Sequence, residues 1–106
     1  MDVKYKPDHP VWLKVPPHLR AGLDRWIMDG IEPGSFLQSV IRNDLYGSWL
    51  YGDEESKGGL MQMMDLFHKI MPRDAWGGWD NYHKWHSHKG INGMTLQLKS
   101  QEELDK

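Results

Sequence analysis

The chain reads as all-α, and three features carry that reading. Apolar residues recur at i, i+3, i+4 and i+7 in several stretches, the spacing of an amphipathic helix. Proline and glycine punctuate those stretches where helices start and stop. Only MTLQL, residues 94–98, alternates like a strand, and it has no evident partner in the rest of the chain.

The first helix is expected from Pro16 and Pro17, which suit a first turn where a missing N–H costs nothing. Leu19, Leu23, Trp26 and Ile27 form its apolar stripe, and Gly30 ends it as a left-handed cap. Pro33 and Gly34 turn the chain, and Ser35 is placed to cap a second helix. That helix carries Phe36, Leu37, Val40 and Ile41 inward and is expected to run to about Tyr46, with Gly47 weakening any continuation through Trp49 and Leu50. A polar break, GDEES, follows, in which Asp53 or Ser56 caps what comes next. The third helix starts at Leu60, buries Met63, Met64, Phe67, Ile70 and Met71, and stops at Pro72. A fourth runs from Trp79 to about His88 and ends at Gly90. Residues 1–15 read as an extended arm in which Val11, Trp12 and Leu13 pack on the body, residues 16–90 as the helical core, and residues 91–106 as a tail that docks or dimerises. All belong to one domain.

Composition narrows the function. A chain of 106 residues hides roughly 65% of the surface its unfolded form exposes, enough for one small core. With no cysteine, disulfides and thiolate metal sites are excluded, which fits a reducing compartment such as the cytoplasm. No stretch approaches the roughly 18 apolar residues of a membrane span, and the first residues lack the apolar core of a signal peptide. The net charge of −2, with its lysines and arginines scattered, argues against a binder of polymeric nucleic acid. A small anion stays open. The six tryptophans and seven methionines suit a core, but also hot spots and base stacking.

Three groups of residues stand out as candidate ligand contacts. Backbone N–H groups of Gly34, Ser35 and Phe36 at the start of the second helix suit phosphate or carboxylate, with His18, Arg20 or Arg25 assisting; a plain helix corner is the competing account. Asp44, at 100° per residue, projects between Leu37 and Val40 on the apolar arc. An isolated buried charge costs several kcal/mol, so it needs a partner: Arg20 is the first candidate, a helix terminus the second, a ligand the third. In WGGWDNYHKWHSHKG, Trp79, His83 and His86 share a helical face with Tyr82 alongside and Trp76 just before. Trp85 lies well round the helix. Core or dimer packing competes with ligand stacking here. A metal is disfavoured because His88 points away from His83 and His86 and no HExxH pattern exists. No nucleophile elbow, P-loop, cysteine nucleophile or carboxylate pair is present, so no enzyme and no cofactor are expected.

The run PPHLRAGLDRWIMDGIEPGSFLQSVIRNDL, an acidic break and PRDAWGGWDNYHKW together resemble a family of small proteins encoded in phage and prophage genomes. The similarity covers Pro17 to Trp85. Its sharpest features are His18-Leu19-Arg20, the corner from Gly30 to Leu37, Asn43-Asp44-Leu45 and Trp76-Gly77. The resemblance implies a phage accessory role in the cytoplasm of a bacterial host and no particular reaction. Joined to the residues above, it gives the leading expectation: a non-enzymatic protein, homo-oligomeric through exposed aromatics, that sequesters a small anionic ligand such as a nucleotide of host defence signalling. The second expectation is a module that inhibits or adapts a host or phage protein through the aromatic face bearing Trp79 or Trp85. The third is a helix-turn-helix DNA binder reading with Gln38, Ser39, Arg42 and Asn43, ranked last because that helix holds one basic residue.

Overall fold

The structure, a computed structural model, describes residues 8–93. Six α-helices are found there, α1 Pro17–Asp29, α2 Ser35–Ile41, α3 Leu45–Tyr51, α4 Glu54–Gly58, α5 Leu60–Ile70 and α6 Trp79–Ser87, with 3-10 turns at Pro10–Lys14 and Arg73–Ala75. Residues 90–93 are again helical. There is no strand among the described residues, and no helix of them is long and apolar enough to cross a membrane. The all-α class therefore holds. MTLQL and the rest of the tail from residue 94, and the first seven residues of the arm, lie outside the described residues.

α1 and α5 follow their apolar periods, whereas α6 buries Tyr82 and Trp85 and leaves Trp79 half exposed. Leu19, Leu23, Trp26 and Ile27 of α1 are buried, as are Met63, Leu66, Phe67 and Ile70 of α5, all in one cluster. Trp26 is its centre. Its indole stacks on Tyr82 with centroids 4.6 Å apart and donates to the Ala75 carbonyl at 2.8 Å, so the largest buried ring carries no orphaned donor. The Trp85 indole in turn donates to the Trp26 carbonyl at 2.8 Å.

The expected second helix is two helices, and the residues Asn43-Asp44 divide it. Asn43 takes φ 65°, the left-handed region that ends helices and that asparagine tolerates. Its N–H bonds the Val40 carbonyl at 3.1 Å and that of Asp44 bonds the Ser39 carbonyl at 2.8 Å, the paired bonds of a Schellman stop. Asp44 then starts α3, its Oδ1 accepting the Gly47 N–H at 2.9 Å. The carboxylate is thus a helix cap, not a charge on the apolar arc of α2. Gly47, read as weakening a helix, lies in α3, where an added β-carbon would collide with the Asp44 carboxylate and lie 2.6 Å from the Ser39 hydroxyl.

Other local expectations are corrected too. Residue Gly34, not Ser35, occupies the N-cap of α2, and no side chain caps that helix. Asp53 caps α4, a short helix not foreseen, through a 2.7 Å bond from the Ser56 N–H. In the arm, Pro10–Lys14 forms a 3-10 turn, because the His9 side chain accepts from the Val11 N–H and starts it. Val11, Trp12 and Val15 pack inward, against α5, whereas Leu13 faces solvent.

Candidate functional site

Where α1 passes the start of α2, a cleft of about 600 Å³ opens, walled on its other sides by the end of α3 and by α4. That volume is in the range of small-molecule sites. Five of the twelve residues singled out from the sequence line it: His18 and Arg25 on α1, and Gly34, Ser35 and Phe36 at the start of α2. The corner formed by Gly30, Pro33 and Gly34 brings them together, because it sets the first turn of α2 against α1. Gly22 lets this approach be close: a β-carbon there would already lie 3.1 Å from Leu37.

The polar groups in the cleft differ in availability. Arg25 is exposed, and among the described residues its guanidinium has no hydrogen-bond or ion-pair partner. No side chain caps the first turn of α2. His18 is tied more closely: its Nε2 lies 2.9 Å from the Ser56 hydroxyl and its Nδ1 3.6 Å from a Glu55 carboxylate oxygen. That order of serine, histidine and carboxylate does not make a nucleophile, because Ser56 is 4% exposed and Glu55 stands beyond hydrogen-bond distance. It pins α4 to α1. Asp53 also lines the cleft, but its carboxylate accepts the Ser56 N–H, and this bond first, then one from the Ser56 hydroxyl, holds its pKa below 3.8.

Tyr51 was not foreseen. It ends α3, is exposed and forms one wall, whereas Phe36 is largely buried and stands close to Gly52. The sequence signal for Tyr51 is an aromatic next to a glycine and an acidic cap, which the polar break around GDEES and the weakened helix after Gly47 conceal.

The remaining candidates lie elsewhere. Arg20 does not meet Asp44; it donates to the Val15 carbonyl at 2.9 Å and the Leu13 carbonyl at 3.2 Å, clamping the arm. Asp44 has Arg42 as its nearest cation, at 3.9 Å. Trp76, Trp79, Tyr82, His83 and His86 contribute nothing to the cleft wall, so the expected meeting of phosphate corner and α6 aromatics does not occur. Trp76 tilts against Phe67, with the Arg73 guanidinium 4.4 Å from its ring centroid. Trp79 is half exposed but already stacked: the Arg42 guanidinium lies 3.9 Å from its centroid and His83 lies parallel at 4.9 Å. Tyr82 is core, its hydroxyl donating to Glu32 at 3.2 Å; burial, then the Glu32 charge, push its pKa well above the usual tyrosine range. His86 places Nδ1 2.8 Å from the Gly30 carbonyl. Trp85, offered as a partner-facing residue, is 1% exposed. Among the described residues no three His, Cys, Asp or Glu side chains are grouped to hold a metal.

α2 gives a DNA groove little to meet. Phe36, Leu37, Ser39, Val40 and Ile41 are buried, Gln38 donates to the Pro33 carbonyl at 2.8 Å, and Arg42 lies on Trp79. Comparison with known proteins adds no relative: no protein-family model, curated protein or solved structure matches the chain.

Proposed function

We propose that this chain is a non-enzymatic binding protein that sequesters a small anionic, nucleotide-like ligand in the cleft between α1, α2 and α4. The observation that carries the reading is convergence. His18, Arg25, Gly34, Ser35 and Phe36, picked out for charge and for backbone N–H groups, line one cavity together with the exposed ring of Tyr51. Arg25 supplies a guanidinium with no competing partner among the described residues, suited to bidentate contact with a phosphate. The uncapped first turn of α2 adds N–H donors beside it. Tyr51 supplies a π-face on which a base can stack, worth about 1–3 kcal/mol in comparable sites. The stacking residue is therefore Tyr51, in place of the Trp79 and Tyr82 first considered.

The wider setting rests on the resemblance to phage-encoded proteins: an accessory protein that counters host defence signalling in the bacterial cytoplasm. Homo-oligomerisation belongs to the same proposal and rests on exposed apolar side chains.

The test is thermal unfolding in the presence of nucleoside mono-, di- and triphosphates and cyclic dinucleotides. A ligand present at 100 times its dissociation constant stabilises by about 2.7 kcal/mol. At least one class should raise Tm for the wild type and for Arg20→Ala, but not for Arg25→Ala. No shift with any of them, or an equal shift in Arg25→Ala, counts against the cleft.

A further inference from the structure

The lining of the cleft carries charge of both signs. His18 and Arg25 stand seven residues apart on α1, two turns along nearly the same face, which offsets them by about 10 Å along the axis. The carboxylate of Asp53 belongs to the His18 end. Ser56 joins the two, its hydroxyl 2.9 Å from the His18 ring and its N–H donating to the Asp53 carboxylate at 2.7 Å. Asp53 and Arg25 line the same cavity, so one end suits an anion and the other repels it. A ligand that is only an anion leaves Asp53 without a purpose in the wall.

Tyr51 stands next to that carboxylate. Both come from the short connection between α3 and α4, with Gly52 between them. A β-carbon on Gly52 would lie 2.7 Å from the Phe36 ring, so glycine lets the connection pack on α2 and sets Tyr51 and Asp53 on one wall. A flat π-face and an acceptor two residues apart are the two elements that read a base, one by stacking and the other at its edge.

We infer that the cleft selects guanine: the base stacks on Tyr51, gives its N1–H and exocyclic amine to the Asp53 carboxylate, and leaves its phosphate to Arg25. The assignment rests on the nucleotide reading above and names the base within it. A carboxylate is acceptor-only, with about four lone-pair sites. The bonds from Ser56 use part of that set and hold the group ionised at neutral pH, its pKa below 3.8, while the residue stays exposed. Guanine sets two N–H donors side by side on its Watson–Crick edge, the pattern a carboxylate accepts in bidentate fashion. Adenine and cytosine place a ring-nitrogen acceptor beside their amine, and uracil flanks its N–H with two carbonyls. Each of those acceptors meets Asp53 with repulsion. The offset of Arg25 from the Asp53 end matches the extent of a purine nucleotide from that edge to its 5′-phosphate.

The test is isothermal titration calorimetry of the full chain near neutral pH with guanosine, inosine and adenosine 5′-monophosphates. The guanosine nucleotide should bind about tenfold more tightly than the adenosine one, the scale of one hydrogen bond to a charged group. Inosine, which keeps N1–H but lacks the amine, should fall between. Asp53→Ser retains a good N-cap for α4 and should leave the helical circular dichroism unchanged. It should weaken the guanosine nucleotide about tenfold and the adenosine one not at all, whereas Arg25→Ala should weaken all three alike. The inference is overturned by adenosine binding as tightly as guanosine, by inosine matching guanosine, by a guanine preference that survives Asp53→Ser, or by no binding of any of the three. Binding that ignores the base but is lost in Arg25→Ala removes guanine and leaves the nucleotide reading standing; binding indifferent to Arg25→Ala removes the reading itself.

Discussion

Gly30 and Gly90 meet backbone to backbone. A β-carbon on Gly90 would lie 2.7 Å from the amide nitrogen of Gly30, and one on Gly30 would lie 3.0 Å from that of Gly90. Both take left-handed φ, 65° and 66°. The turn that ends α1 and the turn that follows α6 thus close on each other with no room for a side chain.

Alanine at either position meets the left-handed penalty of roughly 1–2 kcal/mol and a steric clash in addition. Gly90→Ala should therefore lower stability by more than about 1–2 kcal/mol, and Tm by about 4–8 °C per kcal/mol in a domain of this size. Thermal unfolding followed by circular dichroism measures it. Gly34→Ala, where an added β-carbon meets nothing within 4 Å, should be far milder.

Asp44→Ala should cost about 1 kcal/mol, the usual loss for an N-cap, with Asp44→Asn closer to wild type. Since Arg20 clamps the arm and Asp44 caps α3, their effects belong to separate interactions. Chemical denaturation of Asp44→Ala, Arg20→Ala and the double variant should give additivity within about 0.5 kcal/mol; a large coupling energy would restore the ion pair first expected.

Asp53 sets an acid limb. Its pKa is lowered from 3.8 by hydrogen bonds from Ser56, so its contribution is present above 3.8 and fades as pH falls through the lowered value. Asp53→Asn should be less stable than wild type near neutral pH, and the gap should narrow below pH 3.8. A gap constant with pH would deny the cap its charge.

Trp79 and Trp85 share α6 but not a fate. Trp85→Ala empties a core site and removes the donor to the Trp26 carbonyl, costing about 3–5 kcal/mol. Trp79→Ala should cost about 1 kcal/mol or less, the scale of an exposed cation–π contact. Urea unfolding of the two variants ranks them.

Helix stripes were legible because periodicity needs no tertiary information. Leu19 to Ile27 and Met63 to Ile70 are buried as their spacing demands. Asn43-Asp44 was misread because a stop by left-handed asparagine and a start by aspartate look, in isolation, like two polar positions on one longer helix. α3 defied its composition since the packing of Gly47 and Ser48 against the Asp44 turn outweighed the preference of tryptophan and leucine for the interior. The cleft was half legible. Helix-corner logic brings Arg25 and Ser35 together, but Tyr51 reaches them only through a tertiary contact that no local pattern records, and the α6 aromatics were absorbed by Trp26 and Arg42.

The most direct measurement is native mass spectrometry of the full chain purified from phage-infected, defence-active cells, with denaturation to release bound small molecules, for wild type and Arg25→Ala side by side. The account predicts an anionic, nucleotide-like mass released from the wild type and lost or sharply reduced in the variant. Wild-type protein that carries no anionic small molecule, or Arg25→Ala protein that carries as much as the wild type, contradicts it.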